Sequence, residues 1–486
     1  MQKTKDTPKH PNIQITAENF GPIEKADVDL RPLTVFVGES NTGKTYLAAL
    51  IYALHQAFEG IPRVPWLYYD ISRFDPIYYS QPADLSTRAL LEEMQTALKK
   101  LAAANQPFRF SDLPMWVRDR LQSGSAHSEV LEAELRRCFN FASVSELARF
   151  TKSQSEVMKV SFEVREENQT LWSFNLCNSE SGITADKSIN EDIILSSEDR
   201  DIFQRALNVK DQGIPLRFIL PVLATLYYLP AARSGIMETR GVIATSLVDL
   251  ATPGGLNRFP ESDTLSGIIA DFVKKIISSE ERRVPSDEMS GIAKVLEDEV
   301  LRGAVEVRRP AAGYPEFLYR PQKSEQALRM SQSSSMVSEL APLVFFLRDV
   351  VRPGDTLIIE EPEAHLHPAA QTKVALTLAH LVRVGVRVII TTHSDWLLEQ
   401  IGNLIREGEV MKLGKNKTEP TTWLTKEEVG AWLFRTEKPV QEIPFEHIAG
   451  IEPEEYGEVA EELYNRSVDL RTQLEETTGG TEVEQE

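Results

Sequence analysis

The sequence predicts an α/β chain: a two-lobed head, one lobe antiparallel and the other a mainly parallel sheet flanked by helices, carrying an α+β insertion. Three observations lead there. Leu33 to Val37 is an apolar run feeding Gly38-Glu39-Ser40-Asn41-Thr42-Gly43-Lys44-Thr45, after which Leu47, Leu50, Ile51, Leu54 and Phe58 recur at helical spacing. Leu357 to Ile359 is a second apolar run, and it ends in Glu360-Glu361. A third, within Arg387 to Thr391, ends at Thr392-His393-Ser394. Strand, glycine loop and helix in that order give the first motif its context, and the other two deliver polar residues to strand ends.

Ile13 to Thr16 and Ala26 to Leu30 alternate apolar and polar and read as strands joined by Asn19-Phe20-Gly21-Pro22. Residues 1–60, which include the glycine loop, are expected to form the N-terminal part of the head. Residues 61–213 change character: Ser86 to Ala103 and Ser128 to Phe139 read as charged helices, Val157 to Val164 and Leu171 to Leu176 as strands. They are expected to form an inserted mixed lobe, with no sustained heptad and so no long coiled coil. Residues 214–402 return to the head, with helices at Thr264 to Ser279, Asp287 to Arg302, Met336 to Val350 and Pro368 to Val384, and a hairpin of Ala304 to Arg309 with Glu316 to Arg320. A C-terminal extension at 403–470 and a disordered acidic tail at 471–486 complete the expectation.

Composition narrows the class. The 486 residues exceed one typical domain. No apolar run reaches the ~18 residues of a membrane helix, and the polar, basic Met1 to His10 has no signal-peptide core. Cys138 and Cys177 are the only cysteines, too few for a disulfide framework. A reducing cytoplasm is the expected setting. Net charge is −20, and the acids from Glu452 onward supply half of that excess. An acidic chain argues against a dedicated duplex-DNA clamp. Arg302, Arg308, Arg309, Arg320, Lys323 and Arg329 do outnumber nearby acids, which fits a solvated hairpin edge better than a nucleic-acid face.

The loop from Gly38 to Thr45 fits the phosphate-loop pattern. Gly38 and Gly43 free the backbone to aim N–H groups inward. Lys44 would neutralise the β- and γ-phosphates of ATP, and the Thr45 hydroxyl would hold Mg²⁺. Glu360 is the candidate to hold Mg²⁺ through its water shell, and Glu361 to orient the attacking water. His393, just past the next strand, is placed to sense the γ-phosphate. Glu363, His365 and His367 also suit a transition metal by spacing, although no cysteine or further ligand lies nearby. Ser333-Ser334-Ser335 precedes a helix, where hydroxyls and N–H groups bind anions or simply cap the helix.

These motifs, in this order, resemble the ABC-type ATPase heads of the SMC-like and OLD (overcoming lysogenization defect) families: Asn19-Phe20-Gly21-Pro22-Ile23, the Gly38 loop, the Ser334 segment, Ile358-Ile359-Glu360-Glu361-Pro362-Glu363 with Leu366-His367-Pro368, and Thr392-His393-Ser394. The resemblance covers about residues 13–58 and 304–402. It implies that Lys44 and Thr45 belong to Walker A, and Glu360 with Glu361 to Walker B. By it Ser334 and Ser335 are the signature that caps ATP held by another subunit, and His393 is the switch histidine. Glu360 stands where such heads usually carry Asp, and Met336 where the signature commonly keeps glycine. Gln81 is the candidate Q-loop residue. Arg233, in Leu229-Pro230-Ala231-Ala232-Arg233-Ser234-Gly235, resembles a feature near the nucleotide, with a core-flanking arginine as the alternative.

OLD-type nucleases append a Toprim domain, and the residues after His393 offer no such motif. The implied relatives are therefore free-standing ATPase subunits of anti-phage systems, the PARIS (phage anti-restriction-induced) type being the nearest. The partners implied are further copies of the chain, a separate Toprim-like effector nuclease and a phage-encoded trigger protein, with no membrane. The competing expectation is an SMC-like ATPase that engages DNA in repair or processing.

Overall fold

The computed structural model describes residues 12–60, 108–112, 115, 128–148, 157–166, 169–179, 182–190, 194–195, 225–239, 265–277, 286–308, 314–414 and 422–478. The parallel sheet organises them. It is built from β3 (Leu33–Gly38), β7 (Leu226–Leu229), β10 (Thr356–Glu360), β11 (Arg387–Thr392), β12 (Val429–Phe434) and β13 (Gln441–Ile443). The order is β13-β12-β3-β11-β10-β7, parallel throughout except for the β12–β13 pair. Every residue of β3, β10, β11 and β12 is buried, as expected of strands covered on both faces.

The two faces of that sheet feed two cores. Leu33, Val35, Val37, Leu357, Ile359, Val388 and Ile390 point into one core. The helices α3 (Gly267–Ile277), α4 (Asp287–Val295), α5 (Ser335–Phe345), α6 (Pro368–Arg383) and α7 (Asp395–Lys412) contribute to it. Phe36, Ile358, Ile389, Trp432 and Phe434 point the other way, onto α1 (Lys44–Gly60). Beyond α1 lies an antiparallel sheet, so the helix is packed between two sheets.

That second sheet takes strands from two separate stretches of the sequence. β1 (Asn12–Phe20) and β2 (Ile23–Leu30) form the expected hairpin. On the other side β1 pairs with β4 (Lys159–Glu166), which continues into β5 (Gln169–Ser179) and β6 (Gly182–Ile189). These three strands fall inside residues 61–213, expected as an inserted mixed α+β lobe, and they extend the sheet that β1 and β2 begin. Ile15 pairs with Phe162, and Val160, Phe162, Val164 and Phe174 share one core with α1. The reason is burial: alternate apolar residues of β4 need a covered face, and β1 offers an unpaired edge beside the helix that covers it.

The other elements fall close to expectation. α2 (Ser128–Phe139) packs on α1. The helices expected at 287–302 and 336–350 form, but each finishes in a π-helical turn, Leu296–Leu301 and Phe346–Val350. The hairpin is β8 (Gly303–Arg308) with β9 (Glu316–Pro321). Its Arg320 Nε lies 2.5 Å from Glu306 Oε1 and Arg308 Nη2 3.4 Å from Glu306 Oε2, so these two arginines are held by an acid of the same hairpin. The helix α8 (Glu454–Thr478) runs past residue 471, where a disordered tail was expected to begin. Among the described residues no helix is long and apolar enough to cross a membrane.

Because β4 belongs to the head, Phe162→Ala should destabilise the whole of it by about 3–5 kcal/mol. Urea unfolding followed by tryptophan fluorescence should keep a single transition, moved to lower urea. A separate early transition with an unmoved main one would mean that these strands are an independent lobe.

Candidate functional site

The carboxyl ends of β3, β11 and β10 lie side by side, and polar groups gather there, as at the strand ends of other open parallel sheets. Register does this work: Val37 pairs with Thr392, and Thr391 pairs with Glu360. The glycine loop, His393 and the glutamate pair therefore emerge at one edge although they are far apart in sequence.

The loop leaving β3 needs its glycines. Gly38 has φ +134° and Gly43 φ +109°, values costly for residues with a Cβ. A Cβ on Gly38 would lie 2.1 Å from the Phe434 carbonyl oxygen, and one on Gly43 would lie 2.4 Å from Ile23 Cγ1. The two sheets thus press on the loop from both sides. Asn41 also has positive φ, and the Thr42 hydroxyl donates to the Glu39 carbonyl oxygen at 2.8 Å. Lys44, 5% exposed, donates from Nζ to the carbonyl oxygens of Gly38 at 2.9 Å and Glu39 at 2.5 Å. Burial pushes its pKa down to about 8, opposed by the charges of Glu361, Glu363 and Glu39.

Glu361 stands at φ +42° with its N–H donating to the Thr391 carbonyl oxygen at 2.9 Å. A positive φ at a non-glycine residue marks a strained position. Its carboxylate is half exposed and lies 3.9 Å from His393 Nε2. Burial, and next the Lys44 charge, hold His393 below the usual histidine pKa, with Glu361 acting the other way. Glu361 and His393 are neighbours by distance, and the Lys44 charge is near enough to bear on His393.

Glu360 is held differently. Its carboxylate accepts from the Tyr228 hydroxyl at 2.5 Å and from the Ala231 N–H at 2.8 Å. Burial pushes its pKa up, and the same two bonds oppose the shift. Tyr228, on β7, went unnoticed in the sequence; an aromatic in an apolar run carries no signal until its strand is seen beside β10.

Glu363 has a structural partnership in place of the metal site considered from its spacing. Its Oε1 accepts from the Thr392 hydroxyl and from the His393 N–H, both at 2.7 Å. Its Oε2 is buried without a hydrogen bond, and burial pushes its pKa up. His367 instead caps α6, accepting from the Ala369 N–H at 3.3 Å. No cluster of His, Cys, Asp and Glu suited to a metal ion occurs among the described residues.

Ser334 and Ser335 are exposed at the start of α5, whose own packing is against α4 and β8. Ser334 makes no side-chain capping bond there. Met336 is partly buried against the larger core. Arg233 is 1% exposed and reaches both β10 and α5. Gln81 lies outside the described residues.

The cradle fits a polyphosphate. Its glycines cannot carry a Cβ, and its buried ammonium now donates to carbonyls, which are weaker acceptors than phosphate oxygens. For Mg²⁺, Thr45 is exposed in the first turn of α1, and Glu360 is the carboxylate at the end of the second strand along, with Glu361 beside it.

Replacing Glu363 by Ala removes the acceptor of the Thr392 hydroxyl, which keeps only the Ser394 N–H bond, and of the His393 N–H, at about 1–3 kcal/mol. Glu363→Ala should lower the melting temperature and slow phosphate release at saturating ATP. Glu363→Gln, which keeps an acceptor, should recover most of both. Equal losses in the two variants would contradict the anchoring role.

A family model described as an AAA ATPase domain matches residues 256–398, a span holding Ser334, Ser335, Glu360, Glu361 and His393. No curated protein matches the chain. Several solved structures are similar. An SMC head bound to the C-winged helix domain of ScpA is 12% identical, with 89% of this chain and 97% of that chain covered and a TM-score of 0.42. The SMC head domain from Thermotoga maritima is 8% identical, over 90% of this chain and 100% of that one, at a TM-score of 0.34. RecF of the RecFOR pathway, solved as RecF-ATPrS, is 10% identical over 90% and 100%, also at 0.34.

Proposed function

We propose that this chain is an ABC-type ATPase of the SMC-like and OLD kind, whose subunits join through shared nucleotide sites and so control a separate effector in anti-phage defence. The observation that carries the ATPase reading is the shared strand edge, where Lys44, Glu361 and His393 act on one another. The AAA ATPase match over residues 256–398 supports it.

In this reading the Gly38–Thr45 loop binds the phosphates of ATP, with Mg²⁺ held by Thr45 and, through water, by Glu360. Bound Mg²⁺ would neutralise charge that develops on the phosphate oxygens. Glu361 orients and polarises the attacking water, and its half-exposed carboxylate leaves room for one. The paired Glu360 and Glu361 with His393 favour water over a substrate hydroxyl as the nucleophile, and His393, held towards its neutral form, can report on the γ-phosphate. Glu363 fixes His393 relative to Glu361 through the backbone.

The joining of subunits rests on Ser334 and Ser335. They are exposed at a helix start without a side-chain cap, which suits an anion brought by a second copy. The Toprim-like effector nuclease and the phage-encoded trigger rest on the resemblance in motif order. Acidic net charge and the Glu306-paired arginines count against a DNA-engaging role.

The test is to purify Glu361→Gln with ATP and Mg²⁺ from its native host and measure mass and composition. Phosphate release should fall by about 10²- to 10⁴-fold, ATP should be retained in a multimer, and a nuclease-like protein should accompany it. Lys44→Ala should neither retain ATP nor assemble. DNA-stimulated hydrolysis that weakens with rising salt would instead favour the SMC-like repair reading, and a monomer with ATP bound would end the shared-site one.

A further inference from the structure

Between the Glu360-Glu361 pair and α5 sits one buried side chain that touches both. Arg233 and Glu339 are 1% and 0% exposed, and Arg233 Nη2 lies 2.5 Å from Glu339 Oε1. Arg233 Nε also donates to the Glu339 carbonyl oxygen at 3.3 Å. Its remaining donors go elsewhere: Nη1 to the carbonyl oxygens of Glu360 at 2.5 Å and Pro230 at 3.1 Å, and Nη2 to that of Glu361 at 2.9 Å. A single guanidinium therefore joins the backbone of both site glutamates to a residue of α5, one turn in from Ser335.

Arginine suits this place because its planar fork carries five donors in fixed directions. A lysine ammonium would have three donors and could not span the same acceptors. Stability alone does not account for the pair. Burial holds Arg233 below its ordinary pKa and Glu339 above its own, in each case ahead of the attraction between them. Apolar residues of similar volume serve stability as well or better in such positions. What an apolar pair cannot do is hold the carbonyls of Glu360 and Glu361 in register with α5. Glu361 also stands at a positive φ, a strained backbone position that the guanidinium helps to hold.

We propose that Arg233 and Glu339 are positioning residues that couple a subunit's own nucleotide site to the Ser334 edge it offers to another subunit. A change at the peptide of Glu361 reaches α5 through the guanidinium, and contact at Ser334 returns to Glu361 by the same route, since coupling between binding sites is reciprocal. The inference rests on the shared-site reading above and adds the route by which occupancy of one site sets the other.

The double variant Arg233→Met with Glu339→Leu removes both charges and keeps an apolar core. In a Glu361→Gln background that holds ATP, it should bind ATP within about threefold of the parent. Its ATP-driven association constant, from sedimentation velocity, should fall by about 5- to 150-fold, the usual range of a coupling between sites. Glu339→Gln, nearly isosteric, should show a smaller fall with the same split and tests the point should the double variant not fold. Unchanged association in a folded variant overturns the proposal, as does an equal loss of ATP affinity and association, which would mean a purely structural role. A parent that binds ATP and stays monomeric overturns the shared-site reading itself, and the inference with it.

Discussion

The candidate site depends on β11. This strand is buried along its whole length between β3 and β10, and its two registers decide which residues share an edge. A slip of one residue against either neighbour would turn its apolar side chains to the opposite face. It would also move His393 away from Glu361. Both faces of β11 are occupied, Val388 and Ile390 in one core and Ile389 in the other, so neither slip is open. Packing sets the strand register, and the bonds of Glu363 to Thr392 and His393 fix the strand end within it.

Much of this was legible before any fold was seen. Continuous apolar runs identified β3, β10 and β11, and the residue after each run identified the edge. Helix α1 followed from Leu47, Leu50, Ile51 and Leu54, all now fully buried. The second sheet was legible only in part. Val157 to Val164 read as a strand, but period-two alternation cannot say which edge a strand joins. That choice was made by the apolar face shared with β1 and α1.

The polar network around the site was the least legible part. Arg233 stood in a recognisable segment, yet its choice between nucleotide and core could not be made from sequence. It is buried and bonded to the peptides of the two site glutamates, a third outcome. Glu339 did leave a trace: an acid inside Val337 to Leu347, where the neighbours are apolar, asks for a buried partner. Tyr228 left none. The three glutamates of Glu360-Glu361-Pro362-Glu363 also look alike in sequence, and the fold gives each a separate task. Glu360 is bonded to Tyr228 and Ala231, Glu361 faces His393, and Glu363 anchors the loop.

The crossover that brings β11 beside β3 has a consequence during synthesis. Leu33 pairs with Val388, which leaves the ribosome about 350 residues later, roughly 20 to 70 s at ordinary elongation rates. Throughout that interval an apolar strand with unpaired edges, the glycine loop and the whole of α1 wait without their sheet. Contacts of such separation fold slowly and leave sticky surface exposed. Until β11 arrives, α1 and the antiparallel sheet, which share a core with Phe36, can cover only one face of β3. Fragments cut short before β11 would carry the glycine loop without the strand that brings His393 and the glutamate pair to its edge.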